Sequence, residues 1–498
     1  MAIIETSSGR VDGFSQQGVE TFLGIPYAAP VVPLRRFLAP QPVEPWSGIR
    51  DATKLSPVCP QIPTYGPVGH GAASALIAGE DFLTVNVRTP SLSGKAPVLF
   101  WIHGGGYAVG SANEPVLQSG AFAASGIVEV TVNYRLGVLG FLHLEGAPAN
   151  RGMLDLIAAL RWVKDNIARF GGDPGRVTLA GRSAGGFAVA TLMAMPEARG
   201  LFARAMPQSG ASTAVLSIED ALRTTRRYLA RLGTDAAGLL AGPPLDKMLE
   251  AQRDICDQSY NQHDFARDGA AAMLGVPLVP VIDGQGLPEH PEAAALAGRT
   301  APVPMMTGCT TAEYLTHATA RPQDMDYALA ARLLDPRVRP VGLTGEEIVA
   351  RYRRALPEHS PLGIWRAVGG DLVFQNPTSR FAAAHSRYQS VVKYLYGAIE
   401  PDELGARHGA EVGEVWYRPG MDQSSRPTRQ TVVDPAFAAG VHAVWVSFIA
   451  GSPALPGSQP WPGFDSANPL VARFDAGRFA VERDIFYERL SLWAPQQR

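Results

Sequence analysis

Ser183 stands in Gly181-Arg182-Ser183-Ala184-Gly185, a G-x-S-x-G frame whose hydroxyl is suited to attack an acyl carbon. The apolar run Val177-Thr178-Leu179-Ala180 precedes it, and Phe187-Ala188-Val189-Ala190-Thr191-Leu192-Met193-Ala194 follows. The serine therefore lies between a predicted strand and a predicted helix. Glycines two places before and two after it allow a turn so tight that strand and helix nearly touch, with the serine in an unfavourable backbone conformation. The bare frame recurs by chance in small-residue loops; the flanking strand and helix favour chemistry here.

A serine hydroxyl is a weak nucleophile at neutral pH, and the oxyanion formed on attack needs hydrogen-bond donors. His103-Gly104-Gly105-Gly106-Tyr107 follows a continuous apolar run at 97–102, about 80 residues before Ser183, where the second half of an oxyanion hole belongs. The expected donors are the N–H groups of Gly105 and Gly106, joined by that of Ala184. His103 reads as an orienting residue of the loop, not as a base. Among ten histidines, His408 is favoured because small residues surround it in Gly405-Ala406-Arg407-His408-Gly409-Ala410 and a candidate strand at Val391–Tyr396 precedes it. The orienting acid is expected between serine and histidine in the chain order of α/β-hydrolases. Glu313, just past a strand closed by Gly308, fits; Asp283 and Asp371 are rivals. Tyr107 and Phe187 are candidates to line a substrate pocket, although aromatic residues at such places also serve as core.

These residues need a frame that brings them together. Strands are expected at 97–102, 127–133, 177–180 and 204–209, and a helix over 153–170 from apolar positions 153, 156, 157, 160, 163 and 167. Strand, helix, strand, elbow, helix is the repeating unit of an open, mostly parallel α/β sheet. Residues 3 to 25 alternate as edge strands. Helical patterns at about 214–275 and 315–390, the latter with a capping box at Thr344 and Glu347, interrupt the sheet strands and read as cap insertions on a single domain spanning 1–498.

Composition narrows the class. The chain is 46% apolar and 18% charged with a net charge of -2, so no basic field exists to hold nucleic acid or an acidic membrane surface. The N-terminal residues lack a basic region followed by a long apolar one, and no window reads as a membrane span. Cys59, Cys256 and Cys309 are three, with neither disulfide-scaffold density nor zinc spacing. A cytoplasmic, cofactor-free and metal-free enzyme is expected, monomeric or weakly self-associating.

At this point the chain resembles the type-B carboxylesterase family, which includes the cholinesterases and bacterial p-nitrobenzyl esterases. The matching motifs run nearly end to end: Phe22-Leu23-Gly24-Ile25-Pro26-Tyr27-Ala28, Glu80-Asp81-Phe82-Leu83-Thr84-Val85-Asn86, His103 to Gly106, Asn133-Tyr134-Arg135-Leu136-Gly137, Phe170-Gly171-Gly172-Asp173-Pro174, Gly181 to Gly186 and His408-Gly409-Ala410-Glu411. The resemblance implies an α/β-hydrolase that cleaves small-molecule carboxylic esters, with Ser183 as nucleophile, Glu313 as acid, His408 as base and Gly105, Gly106 and Ala184 as oxyanion donors. Carbamate or aryl-amide hydrolysis by the same residues is the first alternative, and a non-catalytic adhesion protein of the same fold the second.

Three departures stand out against the family pattern. Phe82 occupies the position of a cysteine that secreted members pair with one resembling Cys59, so that disulfide is absent. Thr310 replaces the usual Asn of the acid motif. Arg182 replaces the acidic residue that normally precedes the nucleophile, while the second acid of that neighbourhood resembles Glu411. A buried guanidinium beside the base calls for a partner, and a direct Arg182–Glu411 ion pair is expected.

Overall fold

The continuous apolar runs become strands covered on both faces. The computed structural model describes residues 2–62, 64–65, 68–69, 76–314, 324–399, 405–418 and 434–494. Thirteen strands of these residues form one sheet: β1 (Ala2–Glu5), β2 (Arg10–Gln16), β3 (Val19–Pro26), β4 (Ile49–Asp51), β5 (Thr84–Thr89), β6 (Ala96–Ile102), β7 (Val128–Val132), β8 (Gly172–Arg182), β9 (Arg204–Gln208), β10 (Met305–Thr310), β11 (Val391–Tyr396), β12 (Leu470–Asp475) and β13 (Arg478–Arg483). Their spatial order is β1-β2-β3-β5-β7-β6-β8-β9-β10-β11-β12-β13, with β4 beside β2. From β7 to β12 all neighbours are parallel. β1, β2, β3, β5 and β7 pair antiparallel in turn, as does the closing β13 with β12, while β4 lies parallel to β2.

The two-residue period of a strand sends alternate side chains to opposite faces. In β6, Val98, Phe100 and Ile102 enter one apolar cluster, whereas Leu99 and Trp101 enter a second behind the sheet. Helices α1 (Arg151–Asn166) and α2 (Ala184–Ala194) cover the first face. The other labelled helices are α3 (Ile218–Leu232), α4 (Leu245–Gln262), α5 (Tyr327–Val338), α6 (Gly345–Ala355), α7 (Pro361–Gly370), α8 (Asn376–His385) and α9 (Pro435–Ala450). Val441, Val444, Trp445 and Phe448 of α9 close the second face. Burying each such side chain stabilises the fold by about 1.5–3 kcal/mol.

Local signals set the boundaries. The helix expected over 153–170 is α-helical to Asn166 and ends in a 3-10 turn at Phe170, because Gly171 takes φ 75° and reverses the chain into β8. Both halves of the Thr344–Glu347 capping box form at α6. Helices α3 and α4 lie between β9 and β10, and α5 to α8 between β10 and β11, as the helical patterns predict. Residues 315–323 of the second expected insertion lie outside the described residues. Among those described, no helix is long and apolar enough to cross a membrane.

One buried ion pair ties the motif after β7 to α1. Arg135 donates from Nε to Asp155 Oδ2 at 2.8 Å and from NH2 to Oδ1 at 2.6 Å, and its backbone N–H adds a third bond at 3.0 Å. Its remaining nitrogen reaches the Leu38 carbonyl at 2.6 Å. The fork geometry satisfies a charge that would otherwise be costly at 1% exposure.

Candidate active site

Ser183 ends the turn between β8 and α2 with φ 58° and ψ -124°, a region that disfavours side chains and is held here by its surroundings. A Cβ on Gly185 would stand 2.1 Å from the Ile102 carbonyl oxygen, and one on Gly181 would stand 2.6 Å from that of Gly185. Only glycine fits where strand and helix cross so closely. The Ser183 N–H donates to Gln208 O at 2.9 Å, and the Phe187 N–H returns to Ser183 O at 2.9 Å.

The loop after β6 lies directly against this elbow: a Cβ on Gly104 would sit 3.1 Å from Ser183 Cβ and 2.8 Å from Arg182 O. Gly105 and Gly106 have φ of 117° and 61°, conformations that glycine adopts without the steric cost of a Cβ. His103 stacks on Tyr134 at 4.7 Å, and its Nδ1 bonds Gly104 O at 2.8 Å. These contacts hold the His103 ring against Tyr134 and the start of the loop.

The candidate acid and base lie on loops that extend β10 and β11 and are laced together. Ala312 N–H donates to Ala406 O at 2.9 Å, and Ala406 N–H donates to Thr311 Oγ1 at 2.9 Å. His408 Nδ1 consequently meets Glu313 Oε2 at 2.5 Å. A carboxylate only accepts, so Nδ1 carries the proton and Nε2 keeps its lone pair. Glu313 is 1% exposed and accepts two further bonds at Oε1, from Ser209 Oγ at 2.6 Å and from the Thr310 N–H at 2.8 Å. Burial works to raise the Glu313 pKa, but His408, Ser209 and Thr310 together hold it below the usual carboxylate value. The Thr310 contact to Glu313 is made by the backbone N–H and so does not depend on the side chain at that position. Asp283 instead accepts from the Gln285 and Leu287 N–H groups, and Asp371 from Tyr352 Oη; neither rival reaches His408.

Burial pushes His408 below the ordinary histidine pKa, with Glu313 opposing and Arg182 adding to the shift. The base loop meets the elbow through Arg182, whose NH1 lies 2.2 Å from where a Cβ of Gly409 would stand. No hydrogen bond joins the Ser183 hydroxyl to His408 among the described residues; such contacts often tighten only with substrate. Arg182 is buried, at 7% exposure, so it does not turn outward. The expected direct ion pair with Glu411 is not formed. Both Glu411 carboxyl oxygens are buried without a hydrogen-bond partner, and burial first, then Glu313, push its pKa up to about 7 against the pull of Arg182. The two groups feel each other's field without touching, because the guanidinium is drawn up against Gly409 and Gly104.

Of the two candidate pocket residues, Tyr107 is 1% exposed and packs its ring on Phe141 at 4.6 Å, so its side chain belongs to the core. Phe187 stacks on Phe374 at 6.1 Å, and Phe374 lies 4.5 Å from the His408 ring. Phe374 and Ser209 escape a reading of the sequence. Phe374 sits in a π-helical turn between α7 and α8, and a π-turn in a helix often marks a functional site. Ser209 follows β9 with φ 44°, a hint visible only in the backbone. A cavity of about 310 Å³ is lined by residues that include Glu313, Arg366, Asp371 and Arg489, and does not include Ser183 or His408. Among the described residues, no cluster of three or more His, Cys, Asp or Glu is placed to hold a metal ion.

A mostly parallel sheet with a strained serine after a central strand, and an imidazole and a carboxylate on later strand ends, defines an α/β-hydrolase. Comparison with known proteins narrows the class. Residues 1–493 match the carboxylesterase family. A para-nitrobenzyl esterase of Bacillus subtilis is 33% identical, with 93% of this chain and 92% of that protein aligned. A phenmedipham hydrolase of Pseudarthrobacter oxydans is 30% identical over 97% of both chains. A solved Geobacillus stearothermophilus carboxylesterase superposes with a TM-score of 0.83 at 34% identity, covering 99% of this chain and 100% of the other. The chain belongs to the carboxylesterase family, and it is an enzyme that acts on ester bonds of small molecules. The non-catalytic alternative is thereby set aside.

Proposed function

We propose that the protein hydrolyses carboxylic esters through an acyl-enzyme on Ser183. Ser183 Oγ attacks the ester carbonyl while His408 Nε2 takes its proton, and Glu313 holds the imidazole in the required tautomer and stabilises the imidazolium. The N–H groups of Gly105, Gly106 and Ala184 receive the oxyanion. His408 then returns the proton to the leaving alcohol, and water repeats the sequence on the acyl group. The observation that carries this reading is the His408 Nδ1 to Glu313 Oε2 contact of 2.5 Å, because it fixes which imidazole nitrogen is basic. Phe187 and Phe374 form an apolar wall beside the base, and the helical insertions after β9 and β10 cap the site and bound the acyl and alcohol pockets. The three cysteines, all buried and none in a disulfide, fit a reducing compartment such as the cytoplasm.

Carbamate or aryl-amide cleavage uses the same steps with a different leaving group. One relative is named for phenmedipham and another for para-nitrobenzyl esters, which supports a family whose members differ in substrate. Ser183→Ala tests the mechanism: turnover of a p-nitrophenyl ester should fall by more than about a thousandfold with the fold intact, and retention of a tenth of wild-type activity refutes the assignment. Matched ester, carbamate and anilide substrates on the wild type rank the two readings by kcat/KM.

A further inference from the structure

The loop that carries Gly105 and Gly106 contains glycine at 104, 105, 106 and 110, and so much glycine leaves a segment loose unless something outside it closes it. It turns back on itself, with the Ala108 and Val109 N–H groups both donating to Gly105 O at 3.1 Å. The returning residue, Gly110, lies against the start of the loop: a Cβ there would stand 2.4 Å from Gly104 O and 2.5 Å from His103 Nδ1. Gly110 is thus the point from which the position of the whole loop can be set. Its peptide groups are gripped by one side chain from a distant segment. Gln61 Oε1 accepts from the Gly110 N–H at 2.8 Å, Gln61 Nε2 donates to Gly110 O at 3.1 Å, and the same nitrogen donates to Cys59 O at 2.9 Å.

This pairing is specific to an amide. A primary amide presents a donor and an acceptor side by side, matching the N–H and C=O of a single residue. The segment bearing it is itself anchored, because the Leu136 N–H donates to Cys59 Sγ at 3.2 Å and Asn113 Nδ2 donates to Ser56 O at 2.9 Å. We infer that Gln61 is a positioning residue for the oxyanion loop: it clamps Gly110 and so holds the Gly105 and Gly106 N–H groups where charge develops. The inference rests on the proposed acyl-enzyme mechanism. Preorganised donors act on the transition state and little on the bound ester, so the clamp should be felt in kcat and not in KM.

The test compares the wild type with Gln61→Met, which keeps length without hydrogen bonds, and Gln61→Glu at pH 8, whose carboxylate opposes the Gly110 and Cys59 carbonyls. Each is assayed with a p-nitrophenyl ester, after titration of active sites with a fluorophosphonate, and with an aryl trifluoromethyl ketone. That ketone bonds through its carbonyl carbon to Ser183 Oγ, the hydroxyl proton passes to His408, and the carbonyl oxygen becomes the anion the loop receives. Both variants should lose roughly 10- to 100-fold in kcat, with KM within about twofold and ketone affinity weakened by the same factor as kcat/KM. An unchanged kcat, or a lower kcat with undiminished ketone affinity, overturns the clamp. If Gln61→Met does not fold, Gln61→Glu carries the same comparison. A wild type that ignores the ketone, together with an active Ser183→Ala, brings down the acyl-enzyme reading instead.

Discussion

Glu411→Gln decides how the buried charges near His408 are arranged. Glu411 is fully buried, neither carboxyl oxygen has a hydrogen-bond partner, and its pKa is pushed up to about 7, chiefly by burial. An ordinary glutamate in the unfolded chain titrates near 4.3, so between these values the folded state holds a proton that the unfolded state has lost. Its contribution to stability is therefore fully present below pH 4.3 and is lost as pH rises towards about 7. The difference corresponds to about 4 kcal/mol. Glutamine removes the ionisation while keeping the shape. Relative to wild type, the variant should gain up to about 4 kcal/mol at pH 8 and nothing at pH 4, with ester turnover within a few-fold. Urea unfolding at several pH values, followed by tryptophan fluorescence, measures this directly. A variant less stable than wild type at pH 8, or one that has lost activity, would show that Arg182 depends on an ionised Glu411 and would refute the reasoning.

Other consequences follow from the same geometry. Because burial and Arg182 favour neutral His408, the acid limb of kcat/KM should have its midpoint below the ordinary histidine value of about 6.5; a midpoint above that value contradicts the arrangement. Asp155→Asn should destabilise the fold by about 3–5 kcal/mol in urea unfolding, since it strands the buried Arg135 guanidinium, and a change under 1 kcal/mol would mean that the carbonyls around Arg135 suffice. Ser209→Ala removes one of three donors to the Glu313 carboxylate, and should lower stability by about 1.5–3 kcal/mol. Equal melting of variant and wild type would refute that bond.

Features that local chemistry controls are legible along the chain. Glycines around Ser183, a buried strand before it and an apolar helix after it leave few conformations open, and the elbow forms as those residues require. The same holds for the glycine loop after β6, the capping box at Thr344 and the alternation that splits β6 between two cores. Tertiary structure alone decided the matters of distance. Many residues separate Glu313 from His408 along the chain, and they meet because β10 and β11 are parallel neighbours whose following loops share backbone hydrogen bonds. Ser209 and Phe374 join the site from other strand and helix ends, with no local signal in their residue types. The Arg182–Glu411 pair failed for a related reason. Opposite charges predict attraction, but which atoms touch depends on where the backbone leaves space, and the guanidinium packs against the bare glycines at 104 and 409.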